Sequence, residues 1–258
     1  MIGISWLGRQ LGGVLARFLA QPTHVHAANP VVSSARLLAC LQAGDVLLVD
    51  GHSRFSTAVK YLTQSTWSHA ALFLGDELTA LGGNPAHQFI EADVVAGVRS
   101  VGIEEFAGKH TRICRPVGLD ANARRQLASA AFAHIGHQYD LKNIFDLARY
   151  LLPTPPVPQR FRRRLLALGS GDPTRAICSG LIAEAFQSIH YPILPETSIR
   201  SADRPDCPDC VEAILSIRHH SLFAPRDFDV SPYFQVIKPT LASGFDYKAI
   251  RWQTEGAV

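Results

Sequence analysis

The sequence predicts an α+β fold in which a small antiparallel sheet packs against helices. Short apolar runs, AGDVLLVDG between two glycines and STWSHAALFLGDE ending at Gly75, have the length and composition of buried strands. Other stretches, at 120–136 and in ICSGLIAEAFQSIH, instead repeat their apolar residues at helical spacing. At 258 residues and 47% hydrophobic composition the chain has ample material for a large core. A formal net charge of +3 is only mildly basic and leaves the molecule as a whole without a nucleic-acid footprint. Five cysteines, an odd number at scattered spacing, match no small disulfide scaffold and favour a reduced compartment.

Residues 1–20 place Leu7, Leu11, Val14, Leu15, Phe18 and Leu19 on one helical stripe flanked by Arg9 and Arg17. Such a helix either docks on the protein's own core or lies on an anionic membrane surface, and it is too short and too polar to span one. Arg17 and the glycines break the apolar region that a secretory signal needs. LLAC, ending at Cys40, has the form of a lipoprotein cleavage box but lacks a continuous apolar run ahead of it. The expectation is therefore an amphipathic extension over 1–42 before a domain over 43–258, with a cytoplasmic or membrane-peripheral location.

Within that domain the first strand, AGDVLLVDG, is followed by a helix in STAVKYLTQS. A second strand runs from Ala70 to Leu74 and ends in a charged turn. GGNPAH reads as a hairpin loop, HQFIEADVVAGVRSV as a third strand, and TRICRPVG as a fourth, with Cys114 in the core and Pro116 near its end. Over 120–136, Asp120 is the expected N-cap, and Leu127, Ala130, Ala131 and Ile135 face inward. A further helical run begins near Tyr139 and stops at Pro153. Residues near 153–174 read as an insertion rich in proline, with Arg160, Arg162, Arg163 and Arg164 together: a lid, an anion-contacting loop or simply a solvated face. Beyond residue 190 the chain is loop-rich, with VEAILSI as a helix or strand and a final strand-like run in APRDFDVSPYFQVIK.

Cys178 and Ser179 sit where the helix carrying Leu181, Ile182, Ala185, Phe186 and Ile189 begins. A thiol there meets unpaired backbone N–H groups and the positive end of the helix dipole, both of which favour thiolate. A cysteine hydrolase also needs an imidazole to activate the sulfur and a polar group to orient that imidazole. His69 at the start of one strand and Glu91 on the next would meet in an antiparallel pair, and Asp93 lies one pleat from Glu91 on the same face. Competing uses exist. His69 can be a structural histidine, CPDC at Cys207 and Cys210 can be half a zinc site completed by His219 or His220, and His134 with His137 has the look of a metal pair.

As an ordered set, GDVLLV, WSHAALFLG, FIEAD followed by GV, YD ahead of a helix and ICSGLIAEAF resemble the permuted papain-like cysteine hydrolases of the NlpC/P60 superfamily, nearest the YiiX/YebB-like branch. The resemblance spans roughly 43–190, with a weaker echo in APRDFDVSPYF. It implies a circularly permuted papain-like fold, Cys178 as nucleophile, His69 as general base and acid, Glu91 as orienter of His69, and Tyr139 near the substrate. It also implies hydrolysis of peptide or cell-wall-type amide bonds through a thioester, with no cofactor or metal required. Related permuted folds resemble lecithin:retinol acyltransferases, which sets a lipid-directed acyl hydrolase or acyltransferase beside the amidase. A non-catalytic binding protein that retains the fold is the other alternative. In the lipid-directed reading, residues 1–20 and the Arg160–Arg164 cluster would be the peripheral membrane contacts.

Overall fold

The computed structural model describes residues 32–93, 96–137, 177–201, 211–242 and 244–249. Its centre is a six-stranded antiparallel sheet in the order β4-β3-β2-β1-β5-β8, formed by β1 (Val46–Asp50), β2 (His69–Phe73), β3 (Phe89–Asp93), β4 (Gly97–Val101), β5 (His110–Pro116) and β8 (Phe234–Ile237). A separate two-stranded ribbon pairs β6 (Glu196–Ser201) with β7 (Val211–Ser216). The architecture is α+β, as the composition of the runs predicts.

Central β1 is an unbroken apolar run because both faces of the sheet are covered. Val46 and Leu48 join Ala70, Leu72, Ile90 and Cys114 on one face, against helix α4 (Ala121–Phe132) and helix α5 (Ile177–Ser188). Leu47 and Val49 join Ala71, Phe73, Phe89 and Ile113 on the other, against helix α1 (Ser34–Cys40) and the 3-10 turn Ile103–Phe106. Leu37 of α1 is buried in that second cluster, so the residues just before 42 pack on the sheet.

Asp120 caps α4 by accepting a hydrogen bond from the Ala123 N–H at 2.7 Å. Leu127 and Ala131 face inward as expected, and Ala130 and Ile135 are partly buried at the edge of the same cluster. Helix α2 (Arg54–Thr63) fills the place predicted from STAVKYLTQS, with Ser53 as its N-cap.

Three local expectations change. The stretch read as one third strand is the β3–β4 hairpin, closed with Gly97 in the left-handed region at φ 77°. The charged turn after Gly75 continues into the short helix α3 (Asp76–Ala80), which packs Leu78 into the core. Glu196–Ser201, read as loop, pairs with Val211–Ser216, and that pairing settles VEAILSI as strand. In each case pairing or burial in the folded chain supplies what local propensity does not register. Tyr139, the Arg160–Arg164 cluster, residues 1–20, Cys207 and Cys210 lie outside the described residues.

Candidate active site

β1 and β2 run antiparallel with Val49 opposite His69, so the C-terminal end of one meets the N-terminal end of the other. Here the chain is tightly tied. Ser68 Oγ accepts from the Gly51 N–H at 2.9 Å, and a Cβ on Gly51 would stand 2.3 Å from Ser56 Oγ. Only glycine permits that approach. Trp67 Nε1 donates to Asp229 Oδ2 at 3.0 Å, the Arg112 guanidinium stacks over the indole at 4.9 Å, and both Asp229 oxygens accept from Arg112 Nη1. Asp229 ends helix α6 (Pro225–Asp229), so the two residues before His69 are held from β1, β5 and α6 at once.

His69 opens β2, and Glu91 lies on β3 opposite Ala71, a diagonal neighbour across the pair. His69 Nε2 and Glu91 Oε2 are 2.7 Å apart. The other carboxylate oxygen, Oε1, accepts from Arg99 Nε at 3.0 Å and Nη2 at 2.7 Å. Glu91 is 3% exposed, and such a carboxylate is tolerated only with its acceptors satisfied. Burial pushes its pKa up, but hydrogen bonds and charge from His69 and Arg99 outweigh burial and hold it down at about 2.

Cys178 is the second residue of α5 and 4% exposed. Helix α5 crosses β2 and β3, fastened at its start by Ser179 Oγ donating to the Phe223 carbonyl at 2.7 Å. This placement brings the Cys178 sulfur into hydrogen-bonding reach of the His69 ring. Since Nε2 faces Glu91, Nδ1 is the nitrogen left for the thiol. Burial disfavours a charged His69, yet the charge and hydrogen bond of Cys178, together with those of Glu91, push its pKa up to about 10.

Of the residues singled out in sequence, the fold therefore assembles Cys178, His69 and Glu91. Asp93, the alternative orienter, accepts from the Ala96 N–H at 2.7 Å and helps close the hairpin. Cys114 lies in the core of β5, where burial, with Asp229 adding to it, pushes the thiol up to about 12. His134 and His137 are edge-to-face in the turn after α4, and His134 Nε2 is 4.0 Å from Glu184. His219 Nδ1 bonds Ser221 Oγ at 2.8 Å, and His220 Nδ1 is 3.7 Å from Glu184. Among the described residues no group of three or more His, Cys, Asp or Glu is arranged to hold a metal ion. Arg99 is the site residue that sequence reasoning passed over. Its signal was a basic residue eight positions after Glu91 with a glycine between them, the spacing of a hairpin partner.

No curated protein matches the chain. Among solved structures, that of the metalloprotein yiiX from Escherichia coli O157:H7 aligns with a TM-score of 0.45 and 16% identity, covering 76% of this chain and 96% of that one. Residues 40–150 match the family model described as permuted papain-like amidase enzyme, YaeF/YiiX, C92 family, a span that contains His69, Glu91 and Arg99 and ends before Cys178. Over residues 40–150 the chain is thus similar to the permuted papain-like amidases of the YaeF/YiiX type.

Proposed function

We propose that the protein is a cysteine amidase in which Cys178 is the nucleophile, His69 the general base and acid, and Glu91 the group that orients His69. The observation that carries this is the single imidazole held between a buried carboxylate at 2.7 Å and a cysteine at the start of a helix. Glu91 fixes the ring with Nδ1 toward sulfur and favours the imidazolium, which in turn favours the thiolate.

In the first half-reaction the Cys178 sulfur attacks the amide carbonyl carbon, and the C–O π electrons move to oxygen. The backbone N–H of Cys178, in the first turn of α5, is the proposed donor to this oxyanion. As the tetrahedral intermediate collapses, the C–N bond breaks, His69 gives its proton to the departing nitrogen, and a thioester remains on Cys178. Water then attacks the thioester while His69 takes its proton; the C–S bond breaks, and acid and thiolate are released. Peptide-type amides are the proposed substrates, as the amidase family implies.

The test is the pH dependence of iodoacetamide labelling at each of the five cysteines. Wild type should label selectively at Cys178 near neutral pH, and His69→Ala should lower that rate by about 100-fold. Slow, uniform labelling that ignores His69 would reject the thiolate–imidazolium pair and leave a binding protein that keeps the fold.

A further inference from the structure

We propose that Arg99 is a positioning residue of this site: held between Glu91 and Glu105, its guanidinium fixes the Glu91 carboxylate in the orientation that leaves Oε2 for His69. The proposal rests on the Cys178, His69 and Glu91 assignment and extends it outward by one residue.

A glutamate carboxylate turns easily about its last torsion, so a 2.7 Å bond from His69 to one oxygen does not by itself fix the plane of the group. The constraint comes from the other oxygen. Arg99 stands directly opposite Glu91 in the β3–β4 register and places two N–H groups, from Nε and Nη2, on Oε1. The rigid fork of a guanidinium turns that contact into a directional clamp, whereas a lysine would contribute only a point charge.

Arg99 is itself held. Its Nη2 is 3.3 Å from Glu105 Oε2, and Lys109 Nζ is 3.7 Å from Glu105 Oε1. Glu105 sits on the 3-10 turn whose flanking Ile103 and Phe106 are buried in the core, so the outer carboxylate is carried by a packed element. From the nucleophile outward the groups are Cys178 on α5, His69 on β2, Glu91 on β3, Arg99 on β4, then Glu105 and Lys109. Written as charges in the resting pair, they alternate in sign at every step. Asp93, on the same strand as Glu91, adds negative charge toward Arg99. Without Arg99, the buried Oε1 loses both donors, and the carboxyl group takes up a proton at a higher pH. A neutral acid no longer supports the imidazolium, so the thiolate population falls first on the acid side.

The experiment measures Cys178 labelling rate against pH in the full chain for wild type, His69→Ala, Arg99→Gln, Arg99→Lys and Glu105→Gln, with thermal unfolding recorded for each. Arg99→Gln should move the acid limb upward by about one pH unit or more, and Arg99→Lys should move it by less. Glu105→Gln should give the smallest displacement. An Arg99→Gln profile that superimposes on a His69-dependent wild-type profile overturns the role of Arg99 while leaving the nucleophile assignment intact. If Arg99→Gln does not fold, Arg99→Lys and Glu105→Gln decide, and two profiles superimposable on wild type overturn the proposal. A wild-type profile without any His69 dependence removes the triad and this proposal together.

Discussion

Two carboxylates are buried in this sheet, and each is gripped by an arginine, yet they behave in opposite ways. Asp45, 1% exposed at the start of β1, accepts from Arg115 Nε at 2.9 Å and Nη2 at 2.7 Å and from the Gln42 N–H at 2.8 Å. Arg115 continues to the Cys40 carbonyl, tying α1 to β1 and β5. Burial outweighs these partners, and the Asp45 carboxyl is raised above its ordinary value. Arg115 reaches both oxygens of Asp45, whereas Arg99 places both donors on one oxygen of Glu91 and leaves the other to an imidazole, and that extra ionisable partner reverses the balance. One carboxylate is a strut between elements. The other is held charged beside an imidazole.

The contrast can be broken by mutation. Asp45→Ala should be the most destabilising change, about 3–5 kcal/mol by denaturant unfolding, because it strands a partly buried guanidinium, while Cys178 labelling in the folded fraction stays at the wild-type rate. Glu91→Gln should cost less stability: a shift from 4.5 to about 2 corresponds to roughly 3 kcal/mol at neutral pH. Unlike Asp45→Ala, it should also suppress low-pH labelling of Cys178. Loss of selective labelling in both variants would mean that the two carboxylates serve one common structural purpose.

Acid titration sharpens the same comparison. A depressed pKa contributes stability that is complete above 4.5 and is lost as pH falls through about 2, so the gap between wild type and Glu91→Gln should narrow on acidification. Asp45 has a raised pKa, so its contribution is greatest below its ordinary 3.8 and declines as pH rises through the folded value. The gap between wild type and Asp45→Ala should therefore widen on acidification, and unfolding curves at stepped pH would show the opposite slopes. On the alkaline side His69 contributes stability that is complete below 6.5 and is lost as pH rises through about 10. Wild type and His69→Ala should converge there, a smaller change because it is shared with Cys178.

Cysteines make a parallel contrast. Cys114 and Cys178 are both buried and unbridged among the described residues, and no compositional rule separates them. Cys114 sits within a strand, where burial raises its thiol, and Cys178 sits at a helix start beside an imidazole. Sequence could rank them because a strand interior and a helix N-terminus are legible from periodicity.

What the sequence by itself determined here is local in range. The period of apolar residues defines β1, β2, α4 and α5, Asp120 caps its helix, and Cys178 falls at a helix start, because each depends on neighbours within a turn or two. It also placed His69 and Glu91 on successive strands, from which an antiparallel pairing brings them together. Tertiary structure alone decided the rest. The split of 87–101 into a hairpin set Arg99 opposite Glu91, and a shift of one residue in that register would have turned the guanidinium to the other face. Glu105, Asp229 and Arg115 acquired their roles from partners on other elements, through contacts whose energy depends on burial and angle, and no spacing along the chain encodes those quantities.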